Sequence, residues 1–137
     1  MAGSPRPISR SQISYIRDLI QTRRTRDREG VFVLEGAKPI LELLQSAPHH
    51  VVTVVASPGF LDRQSPAVKR QLLRRDGAFY LCSDERLAKI SAVETSSGAV
   101  AIVRRPTWDQ SVVLAQPRVL GLYGDRLQDP TNIGAII

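Results

Sequence analysis

Apolar residues along this chain follow two patterns. In one they recur three and four residues apart, the period of a helix with a single buried face. In the other they run together in short blocks, as in strands covered on both faces. Ile13, Ile16, Leu19 and Ile20 share one helical face, which predicts a helix from Ser11 to about Thr25, and Gly30 closes that segment. VFVL (31–34) reads as a buried strand, 37–45 as a helix with Ile40, Leu41, Leu43 and Leu44 inward, and VVTVVA (51–56) as a second strand bounded by Ser57-Pro58-Gly59. Ser65-Pro66 supplies a cap and a first-turn proline for a helix over 66–75. AFYLC (78–82) is the third strand, Ser83 caps a helix over 84–90, SAVETSSG (91–98) is a polar loop and AVAIVR (99–104) is the fourth strand.

Strands alternating with helices predict a three-layer α/β/α sandwich around a largely parallel sheet, occupying residues 9–105. Residues 1–8, with Pro5 and Pro7 and no periodicity, read as disordered. Residues 106–117, carrying Trp108, read as a linker, and RVLGLY (118–123) as a new strand. A length of 137 residues suits one ordinary domain and the start of another.

Charge narrows the choice of partner. The formal net charge is +6, and sixteen of the nineteen cationic side chains are arginine. Seven arginines (6, 10, 17, 23, 24, 26 and 28) stand in the first thirty residues against Asp18, Asp27 and Glu29, so that stretch carries +4. A second cluster holds Arg63, Lys69, Arg70, Arg74 and Arg75. A guanidinium can grip phosphate through two parallel hydrogen bonds, so the balance points to nucleic acid or another polyanion. Arg23, Arg24, Arg26 and Arg28 are the candidate phosphate contacts, although cations at a helix C-terminus also complement its dipole. Phe32 and Phe79 fall in expected strands, so no aromatic stripe offers base stacking, and any specificity toward a nucleic acid would come from its shape.

Other chemistry is sparse. Cys82 sits in an apolar strand and reads as a buried thiol; a single cysteine makes no intrachain disulfide, which fits a reducing, cytoplasmic setting. His49 and His50, adjacent on an extended chain, would point to opposite sides and make no metal pair, so no metal is expected. Ser96, Ser97 and Gly98 read as a turn. Glu35-Gly36 links a strand to a helix, with Glu35 expected to cap backbone N–H groups and Lys38, one turn in, as a further contact with the polyanion. No apolar run is long enough for a membrane span, and the opening residues hold no apolar core of a secretory signal.

The closing residues, GDRLQDPTNIGAII, place Asp129 as an N-cap and Pro130 at the first position of an apolar helix. Asp125, Asp129, Pro130, Asn132 and Gly134 fill the pattern D-x-x-x-D-P-x-N-x-G, which resembles the first motif of the SpoU (TrmH-like) RNA ribose methyltransferases. VFVLEGAKPILELL (31–44) and ETSSGAVAIVRRP (94–106) resemble, in the same order, two segments of that family's N-terminal substrate-binding domain. The resemblance implies a small ribosomal-protein-like α/β/α RNA-binding domain followed by the start, over 118–137, of a knotted α/β methyltransferase domain. It implies S-adenosylmethionine as cofactor and tRNA or rRNA as substrate, with a homodimer formed through the catalytic domain. It assigns Asn132 a positioning role at the 2′-hydroxyl, supported by Asp129, Pro130 and Gly134, beside an arginine expected after Ile137. It also implies that the cofactor pocket lies beyond residue 137, so this stretch alone is expected neither to bind the cofactor nor to methylate. A non-catalytic RNA-binding module and a protein-interaction domain with incidental basic charge stay open as alternatives.

Overall fold

The computed structural model describes residues 5–75, 78–91 and 97–136. They fall into two compact units, 1–106 and 107–137.

In the first unit, α1 (Arg10–Gln21) opens on a reciprocal cap. The Ser9 side chain accepts from the Gln12 backbone N–H, and the Gln12 side chain accepts from Ser9 N–H. The expected single helix to Thr25 is two: the chain breaks at extended Thr22, and α2 (Arg23–Glu29) follows. The cause is local. Asp18 accepts from the hydroxyls of Thr22 and Thr25, each at 2.8 Å, and holds the corner. Gly30 ends α2 in the left-handed conformation (φ 64°), which only glycine adopts cheaply.

After β2 (Val31–Glu35), Gly36 turns at φ 118° into α3 (Ala37–Ser46), where a Cβ would stand 3.1 Å from the Pro39 ring. A 3₁₀ turn (Pro48–His50) leads into β3 (Val51–Ala56). Ser57 and Ser65 then each cap a proline-started helix, α4 (Pro58–Asp62) and α5 (Pro66–Leu73). β4 (Phe79–Leu81), α6 (Asp84–Ile90) and β5 (Ala99–Arg104) complete the expected order.

Arg6–Pro7, expected to be disordered, forms a two-residue strand, β1, parallel to β4, and Ile8 beside it is buried. Burial of Ile8 against the sheet holds a segment whose own sequence has no periodicity. The five-stranded sheet has the order β1-β4-β3-β5-β2. It is mixed rather than largely parallel: β1, β4 and β3 run together, while β5 is antiparallel to both β3 and β2. Val100 and Ile102 face α1 and α6; Ala101 and Val103 face α3, α4 and α5. Two separate apolar cores, one on each face, make the three layers.

The second unit contains α7 (Gln110–Leu114) within the expected linker, and α8 (Pro130–Ile136). Residues 118–123 form no strand. A strand needs neighbours for its N–H and C=O groups, and no strand is present among the described residues of 107–136.

Candidate nucleic-acid interface

The corner between α1 and α2 sorts its arginines by what they already hold. Arg24 is exposed and has no ion-pair or hydrogen-bond partner among the described residues. Arg23 is 86% exposed and pairs with Asp27 at 3.4 Å. Arg28 sends Nε and Nη2 to Glu29, both at 3.1 Å, and also stays exposed. Exposed pairs of this kind are worth about 0–1 kcal/mol and exchange readily with a phosphate.

Arg26 is different. It is half-buried, and its Nη1 donates to the carbonyl oxygens of Leu19 and Ile20 at 2.7 and 2.9 Å. Those carbonyls belong to the last turn of α1, where helix oxygens lack intrahelical donors. Arg26 therefore caps α1 through Nη1, a structural role beside the phosphate contact expected of it.

Asp27 binds the corner to the sheet: Arg105, just past β5, reaches it at 2.9 Å. That contact, followed by the field of Arg105 and Arg23, holds the Asp27 carboxyl below its usual pKa. Asp18 is lowered likewise, first by the Thr25 hydroxyl and then by Thr22. A carboxyl with a depressed folded pKa stabilises above its unfolded pKa, near 3.9, and loses that contribution as pH falls through the folded value. Urea denaturation is therefore expected to show stability declining below about pH 4. Asp18→Asn should flatten part of that decline; an unaltered acid limb would deny Asp18 its role at the corner.

The second basic cluster divides in the same way. Arg75 turns inward, with Nη1 on the Pro48 carbonyl at 3.3 Å and Nη2 on the Val51 carbonyl, and burial lowers its pKa. Lys69 donates to the Asp62 carbonyl. Arg63, Arg70 and Arg74 are exposed. Lys38 is 87% exposed on α3 and lies 3.9 Å from Glu42. The Glu35 carboxylate accepts from the Ser91 hydroxyl, and the N-cap of α3 is Gly36.

His49 and His50 sit in a 3₁₀ turn rather than on an extended chain, which brings their rings to 4.2 Å. Among the described residues no cluster of His, Cys, Asp and Glu could hold a metal ion, and no helix is long and apolar enough to cross a membrane. Cys82 is buried, and burial raises its pKa. Gly98 turns at φ 84°, while Ser96 lies outside the described residues.

In the second unit Asp129 accepts from Thr131 N–H at 2.8 Å, and α8 begins at Pro130, as the sequence predicts. Asn132 and Gly134 are exposed on α8. A Cβ built on Gly134 would meet nothing within 4 Å.

Three features escaped the sequence: the structural role of Arg26, the Asp27–Arg105 anchor, and a cavity beside Tyr15. Tyr15 stands in a helical stretch with no motif around it, and nothing in the string marks it.

Comparison with known proteins bears on this arrangement. Residues 10–101 match the family described as MRM3-like substrate binding domain. An uncharacterised tRNA/rRNA methyltransferase of Synechocystis is 29% identical over 136 residues, covering 95% of this chain and 47% of that protein. A Porphyromonas gingivalis protein assigned to the TrmH family of RNA methyltransferases superposes with a TM-score of 0.62 at 26% identity, over 94% of this chain and 46% of its own. The SpoU methyltransferase AviRb of Streptomyces viridochromogenes, solved with AdoMet, shares the fold at TM-score 0.63 and 24% identity, over 93% and 48%. The chain thus spans about half the length of these relatives. With the match covering the three-layer unit from α1 into β5, the chain belongs to the MRM3-like substrate binding domain family, among relatives that are RNA methyltransferases of the SpoU and TrmH kind.

Proposed function

We propose that the whole protein is an S-adenosylmethionine-dependent RNA 2′-O-ribose methyltransferase. Its α/β/α unit grips tRNA or rRNA, and residues 118–137 open its catalytic domain. The observation that carries the RNA-binding part is the α1–α2 corner, where Arg24 is free and Arg23 and Arg28 are held only by exposed partners. Lys38 contributes a further contact from α3. These side chains neutralise phosphates and fix the RNA in position without reading bases.

A ribose 2′-hydroxyl is a weak nucleophile, so methyl transfer to it depends on alignment with the sulfonium carbon and on a route for its proton. An amide is no base near neutrality, so Asn132 acts by orienting, with Asp129, Pro130 and Gly134 setting the turn that presents it. The cofactor is held outside residues 1–137, the enzyme pairs through its catalytic domains, and it works in the cytoplasm.

The reaction type is tested with the full-length protein, radiolabelled S-adenosylmethionine and total tRNA and rRNA. Methylation of the 2′-oxygen blocks alkaline cleavage of the neighbouring phosphodiester, so label is expected in alkali-resistant dinucleotides. Label recovered only in single nucleotides would contradict the proposal. Calorimetric titration of the cofactor into residues 1–137 is expected to give no saturable heat; stoichiometric binding would move the site into this stretch.

A further inference from the structure

A cavity of about 200 Å³ opens between α1 and the sheet. Gln12 and Tyr15 of α1 and Thr53 and Tyr80 of the sheet line it, and Ile16 and Val55 contribute apolar surface. It is smaller than the roughly 300–1,000 Å³ of sites for drug-sized molecules, and suits one flat ring system. None of its lining residues is charged, which disfavours a phosphate or carboxylate and favours a neutral heterocycle.

Three of its polar side chains, those of Gln12, Tyr15 and Thr53, are available. The Gln12 Oε1 is fixed by Ser9 N–H at 2.8 Å, which leaves the Nε2 amide as a donor of set orientation. Among the described residues neither that amide nor the hydroxyls of Tyr15 and Thr53 have a hydrogen-bond partner. Tyr15 is 40% exposed, so its ring is within reach of a ligand. Gln12 and Tyr15 stand on α1, the helix that runs into the arginine corner at Thr22 and packs against α2.

We propose that this cavity takes one unpaired nucleobase of an RNA whose backbone lies across Arg23, Arg24 and Arg28. The base stacks on a tyrosine ring and accepts a hydrogen bond from the Gln12 amide. This inference rests on the RNA-binding reading above and adds a preference for single-stranded nucleotides over duplex. Stacking on exposed aromatic rings discriminates little among bases, so the site selects for an unpaired base before it selects a sequence.

The test uses the 137-residue chain and two probes, a twelve-nucleotide single-stranded RNA and the duplex of the same sequence, with fluorescence anisotropy at fixed salt. Tyr15→Leu with Thr53→Val is expected to weaken single-strand binding about fivefold or more and to change duplex binding less than twofold. Equal loss on both probes, or no loss on either, overturns the pocket while leaving the arginine contacts standing. Loss of binding to both probes in an Arg23, Arg24 and Arg28 charge reversal supports those contacts; unchanged binding there defeats the RNA reading itself. A folding-independent check is adenosine 5′-monophosphate added to isotopically labelled wild-type chain. The Gln12 side-chain amide and Thr53 resonances are expected to shift together, and silence at both overturns the proposal.

Discussion

Replacing Arg23, Arg24 and Arg28 together by alanine lowers affinity for a bulged RNA hairpin by roughly 100-fold at 0.1 M salt. The expectation follows from counterion release. Each phosphate neutralised by a cation contributes about 0.7–0.9 to the slope of log affinity against log salt, so losing three contacts flattens that slope by about 2–3. The three side chains are exposed, and what they give up to reach phosphate is small: one has no partner, and two hold surface carboxylates. The triple variant should fold normally, because none of the three side chains touches a core residue through a hydrogen bond. Filter binding across a salt series checks both the affinity and the slope. A slope equal to that of the unaltered chain would place the RNA elsewhere.

Arg26→Ala has the opposite profile. Two charge-assisted hydrogen bonds to the α1 carbonyls disappear, and the carbonyls of Leu19 and Ile20 lose their donor. Urea denaturation is expected to show a loss of about 2–3 kcal/mol, since a hydrogen bond from a charged group contributes about 1.5–3 kcal/mol and the second is not fully additive. The salt slope for RNA should not change. Undiminished stability with a slope reduced by about 1 would return Arg26 to the phosphate-contacting set. The two variants separate binding from folding in one basic run, RRTRDRE, that looks uniform as a string.

That contrast shows what a sequence can and cannot convey here. β3, α6 and β5 begin and end where their apolar runs and caps predict, because both signals are local. Ser57-Pro58 carries the same cap-and-proline signal as Ser65-Pro66, and α4 follows it, where the bound of a strand alone predicts no helix. The direction of β5 was not legible. A strand buried on both faces has the same composition whether it runs parallel or antiparallel to its neighbours. Pairing of Arg6–Pro7 with Tyr80 and Leu81 depends on residues far apart in the chain, which no local period encodes.

The candidate interface was half legible. Arginine density singled out the segment, but the division between a free Arg24 and a carbonyl-bound Arg26 depends on the break at Thr22, set by the Asp18 carboxylate between two threonine hydroxyls. The terminal motif gave its capping geometry, Asp129 onto Thr131 and Pro130 opening α8. RVLGLY has the apolar content of a strand, yet a strand is defined by its neighbours, and among the described residues it has none.

The central claim is that this domain holds RNA by the exposed arginines of the α1–α2 corner while Arg26 serves the fold. Side-chain guanidinium NMR of the labelled chain, followed during addition of the bulged hairpin, tests it most directly. The Nε–H signals of Arg23, Arg24 and Arg28 should shift and become protected from solvent exchange, while those of Arg26 and Arg75 stay in place. Unmoved signals at the first three, with RNA bound, would contradict the claim.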